Sequence, residues 1–343
     1  MNEKSFEQFV EEVKDTILSY LPMEYEGSRV EVSTKSKVNK DATGISVIPA
    51  GVENAITPLV NLDGFYERYK QGTDMDTLLT QMSECFTEAF ESLNDLPFAN
   101  NPMEQMDKDN IYMQLINRKS NEDYLSTLPH RDFHDMSIIY RVLMDKSEDG
   151  IQSVVITNDL AETMELTEDE LFERASTQTK ELFPVKIDTM GNVLRGFLGD
   201  GDIPDELMDD MGFNESLGMY IISNDMSVNG ATYMVYDDVL FDVASRLNEN
   251  LYILPSSIHE FLAVPESIGD PETLSEMVRD INAGTVKEVD RLSNQVFMYD
   301  KDLRELTQVS DTPILGIKDA DFSMAVAEPV MPHFDAPSEN RAR

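Results

Sequence analysis

Two segments of this 343-residue chain share one pattern, and that repetition constrains the possible folds more than any other feature. Each segment has an apolar run around a tyrosine, Tyr140 or Tyr220, and a glycine ten residues later. Asp149 or Asn229 precedes the glycine, and Asp-Gly and Asn-Gly are the strongest short-range signals for a β-hairpin. A second apolar run and a helical pattern follow in both segments. The repetition therefore predicts two copies of a unit made of strand, hairpin turn, strand and helix.

Helices elsewhere are marked by apolar residues at helical spacing and by capping residues at their starts. Thr167 and Glu170 have the spacing of a capping box. Leu166 and Leu171 have the spacing of a hydrophobic staple, so we expect a helix running to about residue 182. Further helices are expected at residues 6–21, 75–93 and 271–281.

Apolar runs bounded by turns predict the strands. Residues 251–254 and 258–264 are two such runs separated by a three-residue turn, which predicts an antiparallel pair. The last strand is expected at residues 295–299. Together these patterns predict an α+β fold, whose mixed, largely antiparallel sheet is built from the repeated units with helices packed against it.

The chain is long enough for about two domains. A turn-rich stretch at 97–102 suggests a boundary, and periodicity is lost near residue 308. We therefore expect an N-terminal α/β subdomain over 1–96, a repeat-containing α+β domain over 103–307 and a weakly ordered C-terminal tail over 308–343.

The chain carries 27 Lys and Arg residues against 66 Asp and Glu residues, a formal net charge of -39. Such a surface repels phosphate backbones and anionic lipids, which argues against direct binding to nucleic acid or to a membrane. Two interpretations remain: an acidic surface that serves solubility alone, or one that binds a basic protein partner.

Cysteine usage and hydropathy indicate the compartment. The single cysteine, Cys85, cannot form an internal disulfide, and this fits a reducing cytosol. Cys85 lies on the apolar side of a predicted helix, so we expect a buried and unreactive thiol. No apolar run approaches the length of a membrane span, and the N-terminal residues lack the pattern of a signal peptide. A cytoplasmic protein is expected.

Several motifs resemble an uncharacterised bacterial family, domain of unknown function 5688. They are Pro129-His-Arg131, Ile139-Tyr-Arg-Val142, Ile156-Thr-Asn-Asp-Leu160 and, above all, Leu251-Tyr-Ile-Leu-Pro-Ser-Ser-Ile-His-Glu260. A more distant likeness is to the uncharacterised YtpQ-like proteins. The first resemblance covers most of the chain, to about residue 306, and implies a cytosolic protein of the kind found in anaerobic gut bacteria and their mobile elements. It implies no catalytic residues.

His130 and His134 are candidate metal ligands because they are four residues apart, a spacing that metal sites use on a helix. Asp132 and Asp135 could add oxygen ligands. Pro129 and the strand expected after it indicate a turn, however, and no second His or Cys pair completes a ligand shell. Turn histidines bonded to nearby backbone are therefore the favoured interpretation, and no metal is expected.

A second candidate is the run that contains Ser256, Ser257, His259 and Glu260, which has the residue types of a hydrolase triad. Triads are assembled from distant segments, and no Gly-x-Ser-x-Gly elbow is present. We expect the two serines to bond to the backbone of their own turn.

The acidic segment 199–212 could attract a divalent cation, but it lacks the ligand spacing of a calcium loop. No phosphate-binding or dinucleotide-binding glycine motif is present, so no cofactor is expected. The favoured function is a non-enzymatic interaction or regulatory protein that acts through its acidic surface or a groove beside the sheet. The alternative is a hydrolase or metal-dependent enzyme centred on His130, His134, Asp135, His259 and Glu260.

Overall fold

The computed structural model describes residues 4–50, 58–95, 106–147, 150–193 and 218–311 of the chain. Within them, helices pack on three antiparallel sheets of three, four and six strands. The predicted α+β class is therefore confirmed. Among these residues no helix combines the length and the apolar character that crossing a membrane requires.

The N-terminal part has a sheet and a hydrophobic core of its own. Its elements are α1 (Phe6–Thr16), β1 (Arg29–Lys37), β2 (Lys40–Ile48), β3 (Leu59–Asn61), α2 (Leu62–Lys70) and α3 (Met75–Asp95). The strands pair in the order β1-β2-β3, and Phe9, Leu62 and Phe86 are fully buried in the core beneath the helices. The first helix starts at Ser5, which forms a reciprocal capping box with Gln8.

The four-stranded sheet is organised around one long strand. The elements of this part are β4 (Ile111–Asn117), α4 (Glu122–Leu125), β5 (His130–Phe133), β6 (Met136–Ser147), β7 (Gly150–Val155), α5 (Asn158–Thr163) and α6 (Glu168–Leu182). β4 pairs along one edge of β6, while β5 and β7 share the other edge. Every residue of β4 is buried, because α6 and other elements cover it.

The start of α6 confirms the capping motif predicted from the sequence. The Thr167 hydroxyl accepts the Glu170 N–H at 3.4 Å, and the Glu170 carboxylate accepts the Thr167 N–H at 2.8 Å. Leu166 packs on the same core as the fully buried Leu171, as a hydrophobic staple requires. The helix then runs to Leu182, as predicted.

The six-stranded sheet is formed by the C-terminal part. Its elements are β8 (Val185–Thr189), β9 (Tyr220–Asn224), α7 (Asp237–Leu247), β10 (Leu251–Leu254), β11 (Phe261–Pro265), α8 (Pro271–Gly284), β12 (Phe297–Asp300) and β13 (Glu305–Gln308). The strand order is β13-β12-β10-β11-β9-β8. The predicted pairing of β10 with β11 is confirmed, with Leu251 opposite Pro265. The last strand was expected at residues 295–299, which is wrong because β13 follows it.

The predicted repeat is present in the first segment and wrong in the second. In the first, β6 and β7 form the hairpin and α5 follows, as predicted. In the second, Gly230–Val235 is a 3-10 helix between β9 and α7, so there is no hairpin. Residues 230–234 are all buried in the core shared by the four- and six-stranded sheets. Packing therefore gave similar sequence patterns different secondary structures.

Two local expectations are also corrected. Residues 130–133 form the edge strand β5, where a turn was expected. Cys85 is exposed, where a buried thiol was expected. The proposed boundary at 97–102, the acidic segment 199–212 and the tail from residue 312 lie outside the described residues.

Candidate functional site

A surface cleft lies where the start of β5 faces α5 and the start of α6. It has a volume of about 490 Å³. We call it the β5–α5 cleft and define it by its lining residues: Leu128, Pro129, His130, Asn158, Ala161, Glu162, Leu166 and Glu168. No lysine or arginine is among them, and the lining consists of two carboxylates, an imidazole, an amide and four apolar residues.

The tautomer of His130 is set by a hydrogen bond to the backbone. Its Nδ1 lies 2.9 Å from the carbonyl oxygen of Leu128. Because a carbonyl oxygen can only accept, Nδ1 carries the proton, and Nε2 of the neutral ring is an acceptor. His130 therefore supplies an acceptor to the cleft that it lines.

Asn158 and Glu162 also leave acceptors available. The Asn158 side-chain amide donates to the carbonyl oxygen of Ser126 at 3.2 Å, which leaves its Oδ1 as an acceptor. Among the described residues, the Glu162 carboxylate has no hydrogen-bond or ion-pair partner. Glu162 and Asn158 lie four positions apart on α5, a spacing that places both on one face of the helix.

Glu168 closes the cleft and is fixed by a cation and a phenol. Arg131 donates to both of its carboxylate oxygens, at 3.0 and 2.7 Å, and the Tyr140 hydroxyl donates to Oε1. Burial, and then the bond to Glu168, raise the pKa of Tyr140. Arg131 also bonds Asp169 at 2.6 Å and stacks 4.0 Å from the centre of the Phe172 ring. Its charge is therefore neutralised by partners of its own.

The sequence surrounding the cleft is strongly acidic. Residues 158–173 contain no lysine or arginine and seven carboxylates, which are Asp159, Glu162, Glu165, Glu168, Asp169, Glu170 and Glu173. The sequence analysis missed this run of one charge sign, because it used Glu170 only as part of a capping box and did not consider the neighbouring carboxylates. Residue spacing in the sequence could not predict the cleft, because only the tertiary fold brings β5 and α5 together.

His259 lies elsewhere, in the turn before β11. Its Nε2 is 3.2 Å from the Asp290 carboxylate, and its Nδ1 accepts the backbone N–H of Asn229 at 3.3 Å. Both ring nitrogens are therefore engaged. The Ser257 hydroxyl accepts the backbone N–H of His259, and the Ser223 hydroxyl donates to the His259 carbonyl oxygen. Neither of these hydroxyls bonds to the imidazole, as a nucleophile in a triad would.

The adjacent Glu260 has a raised pKa, caused first by burial, while the nearby His259 opposes the shift. Its side chain keeps contact with solvent although protein atoms surround the carboxyl. We therefore regard the penalty of ionising it as modest. A partly exposed carboxyl of this kind can exchange protons, but no hydrogen bond joins it to His259 among the described residues.

His134 and Asp135 form the turn between β5 and β6. His134 has a backbone φ of 58°, and its ring packs against Phe133 and Phe297 at centroid distances of 4.8 and 5.1 Å. Burial lowers the pKa of His134 and raises the pKa of Asp135. The Ser293 hydroxyl donates to Asp135 Oδ2 at 2.7 Å, whereas the buried Oδ1 has no hydrogen-bond partner among the described residues.

The structure separates the three candidate histidines. In the described part of the chain, no hydrogen bond or ring contact joins any two of His130, His134 and His259. Asp135 and His259 do approach one segment, since they bond to Ser293 and Asp290, three residues apart. No group of three or more His, Cys, Asp or Glu side chains suited to a metal ion occurs in the described ranges.

A family model described as a family of unknown function (DUF5688) matches residues 6–301. The chain belongs to this family. The match confirms the resemblance found in the sequence, and it spans the β5–α5 cleft, the His259 turn and every strand of the three sheets except β13. No curated protein and no solved structure matches the chain significantly. The distant likeness to the YtpQ-like proteins stays a prediction.

Within this DUF5688 member, the residues that carried the resemblance have structural partners. In the motif that ends at Glu260, Leu251–Leu254 is the interior strand β10, and Ser257 and His259 brace the turn into β11. In the motif at residues 129–131, by contrast, Pro129 and His130 line the cleft. Membership of the family brings no activity with it, so function is argued from these sites.

Proposed function

We propose that this protein is a non-enzymatic binding protein of the bacterial cytosol whose partner is a basic protein segment. The observation that carries the proposal is the β5–α5 cleft, an open site whose lining combines four apolar residues with two carboxylates and contains no lysine or arginine. Concave sites with an apolar lining and few polar groups are the usual form of binding sites. The acidic lining of the β5–α5 cleft favours a cationic ligand.

The charge of the whole chain supports the same conclusion. A net charge of -39 creates a long-range field that attracts basic partners and speeds their encounter. Residues 158–173 add seven carboxylates around the cleft, of which Glu168 and Asp169 pair with Arg131. Complementary charge contributes to association rate and specificity, and the apolar lining residues add affinity.

A salt-dependent binding experiment tests the proposal. The probe is a fluorescent 16-residue peptide of alternating basic and small residues, and its anisotropy is measured with the full chain at low and high salt. We expect saturable binding that weakens by roughly tenfold or more as ionic strength rises, because salt screens exposed charges. The triple variant D159N, E162Q and E165Q should bind more weakly than the natural chain.

The matched control changes the same charge on a different surface. Glu84, Glu88 and Glu91 are exposed on α3, away from the cleft lining. The variant E84Q, E88Q and E91Q therefore removes three carboxylates and should keep most of the binding. Equal losses in the two triple variants would show that total charge decides binding, and no binding at low salt would overturn the proposal.

The second candidate function is a hydrolase or metal-dependent enzyme that uses the candidate histidines, and one observation favours it. The His259–Asp290 pair is partly exposed and lies beside Glu260, whose pKa is raised. A fluorophosphonate probe distinguishes the two functions, because it labels activated serines covalently. Labelling of Ser256 or Ser257 that is lost in H259N would favour the enzyme, and the binding function predicts no labelling.

A further inference from the structure

We propose that the β5–α5 cleft binds the guanidinium group of a single arginine side chain, as the anchor of the basic segment. This inference rests on the proposed function and deepens it, because it names the chemical group that the site recognises. It is carried by the hydrogen-bonding character of the cleft, which is separate from the total charge of the chain.

Three polar groups in the cleft lining offer hydrogen-bond acceptors. His130 Nδ1 is used on the Leu128 carbonyl, so Nε2 accepts. The Asn158 amide uses one of its two N–H groups on the Ser126 carbonyl, and its Oδ1 is an acceptor. Glu162 adds a carboxylate without a partner among the described residues. A donor-rich ligand with a positive charge satisfies these acceptors best, whereas a phosphate or a carboxylate would be repelled by Glu162.

Arginine fits this set better than lysine does. The acceptors belong to different elements, since His130 lies on β5 while Asn158 and Glu162 lie on α5. A guanidinium presents five N–H donors in one plane and can reach several acceptors at once, whereas an ammonium concentrates three donors on one atom. Charge-assisted hydrogen bonds to a carboxylate are also the stronger kind, and arginine forms them in pairs.

The apolar residues of the cleft suit the methylene groups of an arginine side chain. Leu128, Pro129, Ala161 and Leu166 supply the apolar lining of the cleft. The three methylene groups of an arginine can lie on this surface while the charged group reaches the acceptors, as long cationic side chains do on protein surfaces. Arg131 does not strongly repel a cationic ligand, because Glu168 and Asp169 already neutralise the charge of Arg131.

The test uses small probes that remove the effect of a multiply charged peptide. N-acetyl-arginine methylamide and N-acetyl-lysine methylamide are titrated into isotopically labelled full-length protein, and backbone and imidazole NMR shifts are followed. We expect saturable shifts at residues 128–130 and 158–168 with arginine, and affinity at least about fivefold weaker with lysine. E162Q should weaken arginine binding by about tenfold.

E173Q is the matched control, because Glu173 is an exposed residue of α6 outside the cleft lining and the substitution makes the same charge change. It should alter arginine binding by less than about twofold, as expected for a screened charge at a distance. Equal binding of the two probes, or equal effects of E162Q and E173Q, would overturn the arginine site.

The outcomes separate the inference from the proposed function. If peptide binding is salt-sensitive but arginine is not preferred and E162Q has no effect, the arginine anchor is wrong and the basic-partner function stands. No binding of either the peptide or the small probes sinks both. Preference for arginine, lost in E162Q and kept in E173Q, supports both.

Discussion

Asn39 and Asn121, which are 82 positions apart in the sequence, exchange two hydrogen bonds inside the protein. The Asn39 backbone N–H donates to Asn121 Oδ1 at 2.6 Å, and the Asn121 amide donates to Asn39 Oδ1 at 2.8 Å. Both residues are buried. The pair joins the tip of the β1–β2 hairpin to the segment after β4, and so links the three-stranded sheet to the four-stranded one.

The same Asn39 side chain also fixes the C-terminal part. Its amide nitrogen lies within 3.2 Å of the carbonyl oxygens of Glu288, Val289 and Arg291. We predict that N39A lowers the free energy of unfolding by roughly 2–4 kcal/mol, because buried carbonyls lose their donor. Urea unfolding followed by circular dichroism measures the loss.

A control separates the lost bonds from backbone strain, because Asn39 has a φ of 61° that glycine adopts freely. N39G removes the side-chain bonds without penalising that backbone conformation. It should recover part of the N39A loss but stay below the natural protein. If N39G were as stable as the natural protein, the hydrogen bonds of the Asn39 side chain would contribute nothing to stability.

Gly230 allows the closest backbone approach near His259. A Cβ added there would lie 2.4 Å from Ser223 Oγ and 2.5 Å from the His259 carbonyl oxygen. We therefore expect G230A to destabilise the protein by roughly 2–3 kcal/mol through overpacking. Gly284, at the end of α8, has no atom within 4 Å of its added Cβ. G284A should be neutral or stabilising in the same thermal unfolding assay, and similar effects of both variants would contradict the packing argument.

His134 should make the protein lose stability as pH falls. Its pKa in the folded protein is below the ordinary value of 6.5, so between the two values the unfolded chain binds more protons. The free energy of unfolding therefore decreases as pH falls through this window. H134N removes the titration, and asparagine tolerates the φ of 58° at this position. The difference between natural and variant proteins should change from pH 7.5 to 5.0, and a constant difference would exclude this role.

Asp135 should act with the opposite sign. Its folded pKa lies above 3.8, so between 3.8 and that raised value the folded protein binds more protons. Its contribution to the free energy of unfolding therefore falls as pH rises through the window and is constant above it. We expect D135N to lose less stability than the natural protein between pH 4 and pH 7. Urea midpoints at closely spaced pH values measure this, and parallel curves would argue against it.

The sequence predicted the elements whose signals are local. The capping box at Thr167, the helix that begins at Pro271 and the apolar runs that became β10 and β11 depend on residues a few positions apart, and all formed as expected. Local backbone geometry and side-chain spacing are sufficient to specify such elements. The α+β class followed from them.

Tertiary packing decided what these local signals left open. The apolar run after Gly230 was expected to be a strand, but residues 230–235 form a 3-10 helix that is buried in the core, with Gly230 packed closely against Ser223 and His259. Cys85 lies near an apolar stripe and is nevertheless exposed, because the orientation of α3 on its core decides which edge of the stripe is covered.

The candidate site shows the same division. The sequence identified His130, His134, Asp135, His259 and Glu260 by residue type, but it could not specify their partners. His130 meets Asn158 and Glu162 because β5 and α5 approach each other in the fold, while His259 meets Asp290 from a segment that follows α8. The sequence alone showed which candidate residue types are present and how they are spaced. The grouping of these side chains into sites depends on long-range packing, which periodicity does not encode.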